Sequence, residues 1–266
     1  MAGEPVRAVY GVHGGGMQIA QIEVMLELTP SAYSIDSRFR FTGLASWFAG
    51  NGSTAQATGV LRQGKAQPRH FSSYGHWRGE PRTMAIEYQG GQPRIQKQLP
   101  ATDPDREPVP TSFQHASVDA LSALLELSHG LGATGRCEGE AALFDGRRSA
   151  RIVSRTDRFE MLPQWRGTWS GQALRCTITA TQTGGFRRDD REATREPQEI
   201  ALWMARPASG MPFLPVRFTM PGRWLGPLTG YLLETGTIPA SASSSNLGSS
   251  AGAPAIRTPG ASEGSP

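Results

Sequence analysis

The alternation of apolar residues constrains this chain more than any other feature. Ile22, Val24, Leu26 and Leu28 alternate with Glu23, Met25 and Glu27, the period of two that a half-buried strand requires. Met17 and Ile19 fall in the opposite phase, which predicts a bulge near Ala20-Gln21. Tyr33, Ile35, Phe39 and Phe41 share one parity, with Arg38 and Arg40 on the other. Further strands are expected at 6–12, 54–61, 69–77, 83–89 and 94–99. Gln63-Gly64, Arg78-Gly79-Glu80-Pro81 and Gly90-Gly91-Gln92-Pro93 separate them with hairpin chemistry. Beyond residue 135 come 136–144, 147–155, 173–181, 200–206, 216–220 and 227–233. Asp145-Gly146 between the first two is a strong tight-turn signal. Short strands at this spacing predict an antiparallel sheet or barrel and argue against alternating βαβ units.

One segment breaks the rhythm. Ser117 is placed as an N-cap, Asp119 falls in the first turn, and Val118, Leu121, Leu124, Leu125 and Leu127 form an apolar stripe before Gly130. A helix is therefore expected over 117–130, after a Pro-rich loop at 100–110. Residues 44–48 read as a single helical turn. The last 28 residues include 22 Gly, Pro, Ser or Ala and no aromatic residue, a composition that cannot bury enough surface to offset its ordering entropy. The expected organisation is one antiparallel β domain over 1–238 and a disordered tail over 239–266.

Charge is less informative than it first looks. The formal net charge is +4, but of 27 basic residues only Lys65 and Lys97 are lysines, and the arginines are scattered. The densest run, Arg187 to Glu192, carries its own acids, so no nucleic-acid partner is expected. Met1–Pro5 has no basic leader region and no apolar run follows it, so the chain as written reads as one that stays inside the cell. No stretch approaches the ~18 apolar residues of a membrane helix, so an integral membrane protein is not expected. Cys137 and Cys176 lie in predicted strands. A bridge between them would contribute on the order of 4 kcal/mol by loop closure, and two unpaired buried thiols fit the residues equally well.

Several motifs tempt. Gly130-Leu131-Gly132-Ala133-Thr134-Gly135 spells a dinucleotide fingerprint, but a helix precedes it and a strand follows, the reverse of what pyrophosphate binding needs. It reads as a flexible helix-to-strand connection. His13-Gly14-Gly15-Gly16 and Gly260-Ala261-Ser262-Glu263-Gly264 mimic hydrolase loops, yet the serine sits in the tail with no chain left for the partners that should follow. His70 and His76 lie ~20 Å apart along one strand, too far to share a metal. Asp189-Asp190 reads as a solvated loop. No catalytic residue, cofactor or metal site is expected.

The aromatic residues, spread over many strands, either fill a core or line a cavity that one short helix leaves open. Phe39, Phe41, Phe71, Trp77, Trp203 and Phe218, with Leu121 and Leu125 from the helix, are the candidate lining.

The helix Val118-Asp119-Ala120-Leu121-Ser122, the hairpin Phe144-Asp145-Gly146-Arg147-Arg148 and the flanking Cys137 and Cys176 resemble a bacterial family known as domain of unknown function 3108. Val9-Tyr10-Gly11 at the start and Pro215-Val216-Arg217 near the end also fit. The resemblance spans roughly 6–235. It implies export to the Gram-negative periplasm, which favours a Cys137–Cys176 disulfide, although no leader is visible. It also implies a mainly β fold similar to the open barrels of periplasmic lipoprotein carriers. The resulting expectation is a strongly curved antiparallel sheet or incomplete barrel with one packed helix. Its function would be non-catalytic binding of an apolar ligand, lipid or lipoprotein-like, in the sheet's concavity. The alternative is an assembly module with a filled core that meets an envelope protein partner through an edge strand or the tail. If it were an enzyme, Arg82, Arg151 and Arg217 would be the first residues to inspect.

Overall fold

Each alternating run becomes a strand. The structure is a computed structural model and describes residues 4–43, 52–77, 79–189, 195–222 and 225–238. Seven strands precede the helix: β1 (Val6–Gly14), β2 (Met17–Leu28), β3 (Tyr33–Phe41), β4 (Ser53–Arg62), β5 (Lys65–Trp77), β6 (Glu80–Gln89) and β7 (Gln92–Leu99). Six follow it: β8 (Gly139–Phe144), β9 (Ser149–Leu162), β10 (Gly171–Gly184), β11 (Gln198–Ala205), β12 (Leu214–Met220) and β13 (Leu228–Thr237). The expected turn at 44–48, residues 190–192 of the charged run and the tail at 239–266 lie outside the described residues.

The thirteen strands make one antiparallel sheet in the order β7-β6-β5-β4-β3-β2-β1-β13-β12-β11-β10-β9-β8. Consecutive strands pair throughout, except β7 and β8. The junction of non-consecutive strands is β1 with β13, in register from Val6↔Thr237 to His13↔Thr229, so the two ends of the domain meet at the sheet's centre. In β2, Val12 faces Ala20 while His13 faces Gln18, which leaves Ile19 as an extra residue. That bulge lies one residue from where the change of phase predicts it.

The outer strands β7 and β8 do not pair, so the sheet is not closed into a barrel. The connection that follows β7 crosses the opening. Glu107 N–H donates to Phe186 C=O (2.8 Å) and Arg188 N–H to Asp105 C=O (2.9 Å). Val118 then bridges the free edge of β8: its N–H donates to Ala142 C=O (2.9 Å) and its C=O accepts from Phe144 N–H (3.0 Å). Asp103, with a side chain only 7% exposed, binds Arg82 of β6 and draws in Arg147 (3.5 Å) and Arg106 (3.8 Å). Arg147 also donates to Leu99 C=O at the end of β7 (2.5 Å). One carboxylate thus ties both sides of the opening together. The Asp145-Gly146 turn fits against Met84 only because Gly146, at φ 88°, has no side chain to collide with it.

The helix, α1 (Ala120–Thr134), starts and stops later than its sequence suggests. Ser117 does not cap it; its hydroxyl donates to Gln114 C=O (2.6 Å), and Val118 is committed to the β8 edge. The cap is Asp119, whose carboxylate accepts from Ser122 N–H (2.9 Å) and the Ser122 hydroxyl (2.6 Å). Tyr33 Oη lies 2.7 Å from the same hydroxyl, anchoring the helix start to β3. Gly130 does not end the helix, because burial of Leu131 (1% exposed) against Cys137, Leu174 and Cys176 outweighs the propensity cost of two glycines. The stop is Gly135, left-handed at φ 72°. The apparent dinucleotide motif is therefore the helix's last turn and its cap, not a flexible connection.

Cys137 and Cys176 are joined in a disulfide, with Cα atoms 5.9 Å apart and both residues fully buried beneath the helix's end. The bridge fixes the start of β8 to β10, across β9.

These ties make stability depend on pH and on the disulfide. Burial pushes the Asp119 carboxyl above its ordinary value of 3.8, against the hydrogen bonds from Ser122. The folded state therefore holds this proton more tightly, so stability declines as pH rises from 3.8 through the raised value. Burial also pushes Asp103 up, but Arg82 and Arg147 outweigh it and hold the carboxyl below 3.8. Its contribution is complete above that pH and lost on acidification. Asp119→Asn should flatten the decline above about pH 4, and Asp119→Ala should cost about 1–2 kcal/mol through the uncapped Ser122 N–H. Denaturant titrations at stepped pH check both, and a wild-type slope in Asp119→Asn would contradict the assignment. Thiol labelling of denatured, unreduced protein should modify neither cysteine, and reduction should lower stability by about 4 kcal/mol.

Candidate functional site

The concave side of the sheet is defined by parity. On β2, Ile22, Val24 and Leu26 point inward, paired with Phe39, Ser37 and Ile35 on β3 and with Tyr10, Ala8 and Val6 on β1. From the other half of the sheet, Leu202 on β11 and Phe218 on β12 form a facing pair on the same side. Helix α1 lies across this surface and presents Leu121 and Leu125 to it. Between helix and sheet remains a cavity of about 300 Å³, lined by Tyr10, Val24, Ile35, Leu121, Leu125, Phe213, Phe218 and Met220 among others.

Its chemistry is almost wholly apolar. Of the lining side chains only Tyr10, Ser37 and Ser128 carry polar groups, and the Ser128 hydroxyl is occupied by Phe213 C=O (2.5 Å). Burial raises the Tyr10 hydroxyl well above the usual phenol range, so it stays neutral. With no charge among these groups, the cavity has nothing with which to orient an ionic substrate. What it offers is contact area and exclusion of water.

Two further spaces adjoin it. Leu121 also lines a chamber of about 520 Å³ that contains Phe71, Ser73 and Met84 together with Arg82, Arg106, Arg147, Arg148 and Arg187. Burial and then the neighbouring Arg148 lower the pKa of Arg106; burial and then Arg82 do the same to Arg147. These arginines are held by Asp103, Asp145 and Asp189, so the chamber belongs to the clasp across the sheet's opening. On the opposite flank of the helix, Leu124 and Leu127 face Ile152, Ile178 and Ile200 across a space of about 570 Å³.

The residues singled out from the sequence separate in the structure. Leu121, Leu125 and Phe218 line the apolar cavity. Phe71 is buried but faces the arginine chamber. Phe39 and Phe41 share the concave parity and pack edge-to-face on each other (4.9 Å), outside the cavity lining. Trp203 is not a cavity residue. It is one position from Leu202 and so points through the sheet's other side, where its indole N–H donates to Glu160 (2.5 Å). The side chain of Trp77 lies outside what the structure describes. Of the arginines noted above, Arg82 binds Asp103, Arg151 pairs with Glu140 at the surface (2.5 Å), and Arg217 stacks between aromatic rings on the convex side.

Aromatic content is a poor guide to this lining. Most of the cavity wall is aliphatic, and its signal was the alternating run Ile22, Val24, Leu26 that also defines β2. No group of three or more His, Cys, Asp or Glu comes together as a metal site among the described residues. No described helix is long and apolar enough to cross a membrane.

Comparison with known proteins agrees with this architecture. The chain is similar to the crystal structure of a β-barrel-like protein of domain of unknown function DUF1849 from Brucella abortus, with a TM-score of 0.51 and 13% identity over 89% of this chain and 98% of that one. At that identity the likeness is one of fold. No curated protein matches the chain. The sequence profile of the family described as "Protein of unknown function (DUF3108)" matches residues 8–232, the whole sheet apart from the outer ends of its two central strands, and the chain belongs to that family.

Proposed function

We propose that the protein is a non-catalytic carrier or receptor for an apolar ligand, a lipid or the acyl part of a lipoprotein-like molecule, held between α1 and the concave face. The observation that carries this reading is the uncharged cavity beside Leu121, Leu125 and Phe218. Its volume of about 300 Å³ sits at the lower end of the ~300–1,000 Å³ typical of ligand sites. The disulfide supports an oxidising compartment, and with the family's implied export it favours the periplasm as the place of action.

A second reading is an assembly module that works through protein contacts. One observation favours it: Phe159 and Met161, two apart on β9 and therefore on one face, are 65% and 72% exposed.

Titration with the neutral dye N-phenyl-1-naphthylamine separates the two. The carrier reading predicts a saturable rise in fluorescence. Val24→Trp, which fills the cavity from β2, should weaken it at least tenfold while leaving the melting temperature within a few degrees. Native mass spectrometry of protein exported to the periplasm should show co-purifying lipid. Absence of dye uptake, or uptake unaffected by Val24→Trp in a folded protein, would remove the carrier reading and leave the assembly module.

A further inference from the structure

The convex side of the sheet holds a second concavity with different chemistry. The segment between β9 and β10 folds back over the outer face, where Trp169 N–H donates to Leu232 C=O (2.9 Å). Trp165, Trp169, Leu162 and Tyr231 wall a pocket of about 210 Å³, and Arg217 of β12 forms part of its lining. The Arg217 guanidinium lies 4.6 Å from the Trp203 ring centroid and 5.4 Å from that of Tyr231. Its Nε is buried with no acceptor, and among the described residues Arg217 makes no hydrogen bond and no ion pair.

That isolation is unusual within this molecule. Arg7, Arg82, Arg106, Arg147, Arg175 and Arg187, the other described arginines that are at least half-buried, each have a carboxylate. No carboxylate lines the pocket around Arg217. Glu160, which reaches the neighbouring Trp203, is taken by that indole and by Arg158. A second cation, Arg166, stands over Trp165 at 4.9 Å. His13 packs on Trp165 and Tyr231 (5.1 and 5.5 Å) with its Nδ1 buried and unbonded. Ring faces stabilise a guanidinium by cation–π attraction and stacking, but they accept none of its in-plane hydrogen bonds. An anion placed in the pocket would supply them in the forked geometry that guanidinium favours.

We infer that this pocket binds a small molecule bearing one carboxylate or phosphate, whose anion meets Arg217 and whose flat or apolar body packs on Trp165 and Trp169. The site is separate from the concave cavity and does not depend on the carrier reading. The small volume excludes a large ligand, and the two ring walls select a planar one.

Titration by nuclear magnetic resonance tests it directly, following the Arg217 Nε–H and the indole N–H signals of Trp165, Trp169 and Trp203. The probes are benzoate, phenyl phosphate and, as a neutral control of the same shape, benzamide. Saturable shifts with benzoate, phenyl phosphate or both are expected, with the preferred one naming the anion, and benzamide should bind at least tenfold more weakly. Arg217→Gln should abolish the response, Arg217→Lys should weaken it, and both should leave N-phenyl-1-naphthylamine uptake unchanged. If Arg217→Gln does not fold, Arg217→Lys and the benzamide comparison carry the test. No response to either anion, equal binding of benzamide, or full binding by a folded Arg217→Gln would overturn the inference.

Discussion

A mismatch of size between one helix and a wide sheet governs this structure. Thirteen strands at ~4.8 Å spacing make a ribbon on the order of 60 Å across, whereas a helix is ~10–12 Å wide with its side chains. Left flat, the apolar face built from Ile22, Val24, Leu26, Ile35, Leu202 and Phe218 would be largely wet. Curling brings the two halves toward each other around α1 and buries most of that face. A helix of 15 residues still cannot fill the enclosed space, and the remainder is the cavity beside Leu121 and Leu125.

The curl is held by polar ties where the strands do not meet. The chain's first and last strands pair at the centre, so both free edges lie far from the ends of the domain, at β7 and β8. The connection between those edges has to cross the opening, and it uses backbone bonds to Phe186, Ala142 and Phe144 to do so. Asp103 gathers arginines from both sides, and Asp119 caps the helix where the connection turns inward. These two buried carboxyls respond to protons in opposite directions because their surroundings differ. Asp103 faces guanidiniums, and Asp119 faces hydroxyls and a backbone amide.

Most of this fold was legible in the sequence. Alternating runs and the turn signals between strand-like segments located all thirteen strands, the change of phase at Met17 and Ile19 located the bulge to within one residue, and Asp145-Gly146 located its hairpin. Those signals are local, so one sequence suffices to read them. The helix ends were not, since Ser117 and Asp119 are equally good caps until the pairing of Val118 with β8 decides between them, and Gly130 ends a helix only when nothing beyond it needs burying. The lining of the cavity was half legible. Leu121, Leu125 and Phe218 line it as their sequence positions suggest, but Trp203, next to Leu202 on β11, takes the other side of the sheet whatever its aromatic character. The closure by Asp103 left no signal at all, as its partners are 21 and 44 residues away and meet only after the sheet has curled. The isolation of Arg217 is likewise visible only when its neighbours are in place.

Crystals exposed to xenon under pressure would probe the unfilled space most directly, since xenon enters dry apolar cavities and ignores polar ones. The account predicts xenon density bounded by Tyr10, Val24, Leu125 and Phe218, and none among the arginines around Asp103. A helix packed so closely on β1, β2 and β12 that no xenon enters, or ordered water in its place, would contradict it.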